Sequence, residues 1–205
     1  PNIMINTIMA EELNGFCDEI DKAEDKEKAI KELIKKTFTE HRRIVFNGDG
    51  YSDEWPIEAE KRGLYNLKSL PEALAHFDDQ KNIDLFVKNK VHSEIEIKAR
   101  KVITLEEYAK TINIEALTML EMAKQDILPA VSAYVKELTD TALAKKSLSA
   151  SIPTSVEEEL VTTLSNDLVS FAEKIKALEE IVVKGNDIED AQEKANYYHD
   201  VVFAA

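Results

Sequence analysis

The sequence predicts an all-α protein. Apolar residues recur at steps of three and four along most of the chain, the period of an amphipathic helix. Capping boxes stand at Ser69 to Glu72, Ser93 to Glu96 and Thr154 to Glu157, where such stripes begin. No segment alternates with strand period, and Ile44-Val45-Phe46 is the one short piece that could be extended. The expected architecture is a helical bundle of three long C-terminal helices, with shorter N-terminal helices around a glycine-rich connector. The expected divisions are a helical pair at 1–40, the connector with short helices at 41–92, and the long-helix bundle at 93–205.

The first helix is expected over Met4 to Ile20, with Ile5, Ile8, Met9, Leu13, Phe16, Cys17 and Ile20 on one stripe. Gly15 weakens it slightly, and Cys17 is expected as a small core residue. The charged run Asp21 to Glu27 reads as a turn. Ala29, Ile30, Leu33, Ile34 and Phe38 then mark a second helix, which pairs with the first as a hairpin.

The stretch from Phe38 to Trp55 breaks the helical pattern and holds two of the five glycines and the one tryptophan. Asn47-Gly48-Asp49-Gly50 carries turn residues, so one of its glycines is expected at positive φ. Two readings compete. In the first, His41, Arg42, Arg43, Asn47, Gly48 and Gly50 form an anion-binding loop. In the second, the stretch is a structured connector that docks Phe46, Tyr51 and Trp55. A lone Asn-Gly-Asp-Gly is a weak phosphate signal, so the connector is the expectation.

Ser52 or Asp53 can cap a short helix that Gly63 closes. The Ser69 box, with Pro71 in the first turn, starts another, and Asp78 or Asp79 starts a third. From Ser93 the apolar stripe runs through Val102, Leu105, Tyr108, Ile112, Ala116, Met119, Ala123, Ile127, Val131, Tyr134, Val135 and Leu138. A helix over 94–144 follows, which Pro129 should kink without ending. Asn113 and Glu115 should merely edge this stripe. Val156, Leu160, Leu164, Leu168, Phe171, Ile175, Leu178 and Val182 form a heptad seam over 156–184, with Gly185 as its stop. Asp187 should cap a last helix over 188–203.

The formal net charge of −14, from 40 acidic against 26 basic side chains, argues against nucleic acid or an anionic membrane as the main partner. No apolar run approaches a membrane span and no signal-peptide pattern opens the chain, which starts on Pro1, as an excised piece would. A single cysteine suits a reducing cytoplasm. Nucleotide-binding, zinc-protease and hydrolase motifs are absent. A di-metal bundle site needs Glu-x-x-His pairs, but Phe38, Ala73, Asn89 and Asn196 precede His41, His76, His92 and His199 by three. The expectation is therefore no catalytic residue, no metal ligand and no cofactor in this chain.

Several segments resemble the C-terminal part of type III glutamine synthetase. Pro1 to Glu11 resembles the last helix of that family's catalytic domain. His41-Arg42-Arg43-Ile44-Val45-Phe46-Asn47-Gly48-Asp49-Gly50-Tyr51-Ser52 resembles a family signature, as do Glu58 to Leu64 with Asn66-Leu67-Lys68, and Lys110 to Leu120. The similarity runs in order from Pro1 to about Val131. It implies a parent ligase that joins ammonia to glutamate with ATP and Mg or Mn, and whose metal and substrate residues lie upstream of this chain. It also implies a fragment that is inactive alone, with a structural, assembly or regulatory role in a cytoplasmic enzyme of stacked rings. Its partners would be the rest of the parent and neighbouring subunits, with homo-oligomers possible. The alternative is a free-standing scaffold or adaptor that binds a partner helix on the 156–182 seam.

Overall fold

The computed structural model describes residues 2–205; Pro1, the first residue of the family-like segment Pro1 to Glu11, lies outside the described residues. The described residues hold helices and turns with no strand, so the protein is all-α. Two compact units divide it, 1–101 and 102–205. Ile44, expected within a possible extended piece, lies in a 3₁₀ turn over Arg42–Ile44.

In the first unit, α1 (Asn2–Asp21) and α2 (Lys26–Glu40) form the expected hairpin. Asp25 caps α2 by accepting from the Lys28 amide at 3.0 Å, and Lys36 reaches back to Glu19 at 3.7 Å. One face of α1 meets α5 (Gln80–Lys88). Met4 packs on the buried cluster of Ile83, Phe86 and Ile97, and Glu11 pairs with Lys88 and accepts from Asn89 at 2.9 Å. The Lys88 ammonium, through that hydrogen bond, holds the Glu11 carboxyl below its ordinary range.

The opposite face of α1 is open. Ile5, Met9 and Leu13 are 57%, 54% and 54% exposed, so the expected stripe is not a core stripe within this chain. Cys17 is exposed too, contrary to the core role expected of it. Leu33 alone is fully buried on α2.

Short helices α3 (Glu54–Lys61) and α4 (Leu70–Ala75) follow. Gly63, at φ 71°, closes α3 with its amide on the Glu60 carbonyl and the Leu64 amide on that of Ala59, a Schellman pattern. The Ser69 capping box forms as read, with Pro71 in the first turn. Ser93 and Glu96 also exchange their bonds, which lowers the Glu96 pKa through the Ser93 backbone amide first.

The second unit contains most of α6 (Glu94–Met122), then α7 (Leu128–Leu148), α8 (Ser155–Asn186) and α9 (Ala191–Tyr197). A π turn at Ala123–Ile127 joins α6 to α7 without a break. The Leu128 amide bonds to the Ala123 carbonyl, five residues back, one residue ahead of Pro129. The wider turn accommodates a residue that has no amide and crowds the preceding turn, so Pro129 does not end the helix.

Helices α7 and α8 pack antiparallel, and Lys145 and Lys146 pair with Glu157 and Glu158 across their short connection. Thr154 therefore makes no capping box. Glu157 is drawn to Lys145, and the Thr154 hydroxyl donates to the Glu158 carboxylate at 2.7 Å. The seam on α8 is graded. Ile175 and Val182 are buried, Leu164, Leu168, Phe171 and Leu178 are half-buried, and Val156 and Leu160 are exposed.

One core cluster joins Ala109, Ile112 and Ala116 of α6 to Val182 of α8 and to Tyr198 and Val202. The last helix departs from the expected span. Asp187 ends α8, Asp190 caps α9 by accepting from the Glu193 amide, and α9 is seven residues long before a π turn at Tyr198–Val202. Gly185 does not stop α8, which runs on to Asn186; it is the buried place where the Tyr198 ring lies.

Candidate functional site

The glycine-rich stretch folds into an open groove of about 680 Å³ in the first unit, lined by Arg42, Arg43, Val45, Phe46, Asn47, Gly48, Glu54 and Arg62. Its construction is local. Helix α2 ends at Glu40, and the 3₁₀ turn places Arg42 and Arg43 directly after it. Asp49 then turns the chain: its carboxylate accepts from the Tyr51 amide at 2.9 Å, and its carbonyl accepts from the Ser52 hydroxyl at 2.8 Å. Phe46 and Trp55 stack with ring centroids 4.6 Å apart.

Arg62 ties these pieces together. Its Nε donates to Glu58 at 2.7 Å, and its Nη1 donates to the carbonyls of Val45 and Arg43 at 2.8 and 3.3 Å. Its guanidinium also sits 5.9 Å from the Trp55 ring centroid, a cation–π distance. Sequence reasoning missed Arg62. The signal was available: Glu58 and Arg62 stand at i and i+4 on a helix that Gly63 closes.

The structure thus gathers four of the six anion-loop candidates, Arg42, Arg43, Asn47 and Gly48. His41 and Gly50 are exposed and do not line the groove. Neither Gly48 nor Gly50 has positive φ, contrary to expectation. Gly48 is held by space instead: a β-carbon there would lie 2.5 Å from Cζ of Phe46. Tyr51 does not dock, being fully exposed.

A second polar constellation lies in the other unit. The buried Tyr198 hydroxyl stands 3.0 Å from Asn113 Oδ1 and 3.2 Å from Asn186 Oδ1. A phenol has one proton, so it donates to one carboxamide and accepts from the other once that amide turns. Asn113 is therefore a polar anchor between helices and not a bystander at the edge of a stripe. Tyr197 adds a bond from its hydroxyl to the Ile181 carbonyl at 3.0 Å. Burial raises the Tyr198 phenol above its ordinary pKa, and the neighbouring Tyr197 adds to this.

Among the described residues, no three His, Cys, Asp or Glu side chains come together as a metal site would require, and no helix is long and apolar enough to cross a membrane.

Against known families, a model described as the glutamine synthetase C-terminal domain matches residues 29–146, which include the whole groove. A glutamine synthetase of Butyrivibrio fibrisolvens is 39% identical over 175 residues, covering 85% of this chain and 25% of that protein. The type-3 glutamine synthetase of Dictyostelium discoideum is 40% identical over 144 residues, covering 69% and 20%. A glutamine synthetase of Bacteroides fragilis (strain YCH46) is 29% identical over 208 residues, covering 98% and 28%. The chain spans about a quarter of the length of these relatives.

Proposed function

The chain belongs to the glutamine synthetase C-terminal domain family, and on that premise we propose that it is the helical C-terminal part of a type III enzyme, non-catalytic itself and built to dock onto the rest of the parent. The observation that carries this is the open face of α1. Ile5, Met9 and Leu13 are more than half exposed while Met4 and Glu11, on the opposite face, are engaged within the unit. Helix α1 meets α2 and α5 within the unit, yet this apolar stripe stays open, as a face that packs on a further partner would. Helix α1 precedes residue 29, where the match to the family's C-terminal domain begins. In this reading residues 1–40 continue the parent's catalytic domain, 41–92 connect, and 93–205 form a helical element for assembly or regulation in a cytoplasmic oligomer.

The parent reaction, ATP-dependent ligation of ammonia to glutamate, needs divalent metal to offset phosphoryl charge. The residues present do not fit such a metal, since no ligand cluster exists among those described. No step of that reaction is routed through this chain, and ATP, Mg and Mn belong with the upstream residues. The exposed start of the α8 seam, Val156 at 64% and Leu160 at 39%, favours a second reading in which a partner helix docks there.

The experiment separates intrinsic from docking roles. The isolated chain should form no glutamine from glutamate, ammonia and ATP with Mg or Mn. Met9→Glu should leave its denaturation midpoint unchanged, yet disrupt assembly of the full-length parent as seen by sedimentation. Turnover by the chain alone, or a parent indifferent to Met9→Glu, defeats the proposal.

A further inference from the structure

Three of the four arginines in the chain, Arg42, Arg43 and Arg62, line one groove, although lysine is the common cation elsewhere. Arginine offers a planar fork of donors suited to oxyanions, which lysine does not. Arg62 is occupied as a clasp on the connector, whereas Arg42 and Arg43 are exposed and make no ion pair among the described residues. Phe46, Asn47 and Gly48 also line the groove, and their backbone amides donate to no acceptor of the chain among the described residues. The Phe46 ring lies against Gly48 and leaves no room for a side chain there. Successive free amides beside cations form the donor set of an anion site.

We propose that this groove binds a phosphate group, with the Arg42 and Arg43 guanidinium forks and the amides around Gly48 as donors. Recognition stops at the oxyanion. Trp55 already carries Phe46 stacked on it and the Arg62 guanidinium over its ring, so little aromatic face is left for a base. Glu54, on the groove wall, opposes the anion and sets a weak basal affinity. The connector and the anion site are one device: Arg62 holds the loop closed, and the closed loop presents the two unpaired arginines. Anion binding at this groove is independent of the docking of α1, since it needs this chain alone.

The test is titration of the 205-residue chain with inorganic phosphate, pyrophosphate and ATP, without metal and at low ionic strength, read by Trp55 emission and calorimetry. Saturable binding is expected, with pyrophosphate and ATP of similar affinity and chloride competing. Arg42→Ala with Arg43→Ala should weaken it about tenfold or more, and Glu54→Gln should strengthen it. Lys174→Ala, a lysine of the other unit, should change nothing. Circular dichroism of each variant checks that the helices remain. Absence of saturation, indifference to the paired arginine change, weaker binding by Glu54→Gln, or ATP far tighter than pyrophosphate each overturns the assignment.

Discussion

Tyr198 lies against Gly185 so closely that a β-carbon at position 185 would stand 3.0 Å from Cε2 and Cζ of the ring. The contact joins the last turns of α8 to the π turn after α9. The ring is 1% exposed and its hydroxyl is tied to Asn113 and Asn186, so it is pinned at both ends.

Gly185→Ala weighs two effects. Alanine in a helix ordinarily gains about 1 kcal/mol over glycine. Overpacking against a ring that cannot yield costs about 1–3 kcal/mol. The net expectation is a loss of up to about 2 kcal/mol, read by urea denaturation. A raised midpoint would mean that the ring gives way.

Tyr198→Phe keeps the ring and removes the hydroxyl, leaving two carboxamides to find water, at a cost of about 0.5–1.5 kcal/mol. It should also alter alkaline stability. Burial raises the phenols of Tyr198 and Tyr108. Above the unfolded phenol pKa of about 10, the unfolded chain has lost a proton that the folded chain retains. Raising the pH therefore favours unfolding, and the stability present below that pKa is lost above it. Melting temperatures of Tyr198→Phe should fall less steeply above about pH 10 than those of the parent chain. Parallel curves would show that Tyr198 plays no part.

Helix identity was legible in the sequence because local signals decide it. The Ser69 and Ser93 boxes formed as read, and Gly63 closed α3 as expected. Two signals misled because a competitor outbid the local one. Lys145 took Glu157 from Thr154, and Asp190 capped the last helix where Asp187 had seemed the candidate. The apolar stripe on α1 was legible as a stripe, but periodicity does not say whether its partner lies in the same chain. At the groove, Arg42 and Arg43 stood out beside glycines, whereas Arg62 entered through contacts 17 and 19 residues away in sequence. Asn113 was misjudged for the same reason, its partner Tyr198 being 85 residues distant.

The graded seam on α8 gives a graded mutational series. Ile175→Ala removes a side chain 7% exposed and should cost about 2–5 kcal/mol. Val156→Ala, at 64% exposure, should stay within about 0.5 kcal/mol. Leu168→Ala, half-buried, should fall between them. Chemical denaturation of the three variants decides it. Equal losses at Ile175 and Val156 would mean that the start of α8 is covered in solution, and would favour self-association through that end.

The glycines of the first unit should separate by cause. Gly63 holds φ 71°, and nothing stands within 4 Å of the place its β-carbon would occupy. Gly63→Ala therefore costs through backbone strain alone, about 1 kcal/mol, and Gly63→Asn should recover part of it, since asparagine tolerates the left-handed region. Gly48 has no such φ, yet alanine there would meet the Phe46 ring at 2.5 Å and must displace it from Trp55. Its loss should appear as a change in Trp55 emission along with lowered stability, and Gly48→Asn should be worse, not better. Gly50 has neither constraint, so Gly50→Ala should be neutral or gain about 0.4–1 kcal/mol by restricting the unfolded chain. Denaturation midpoints and emission spectra of the five variants test the sorting. A rescue of Gly48 by asparagine, or a large loss at Gly50, would show that the loop needs left-handed backbone in solution and that the Phe46 contact is not what holds it.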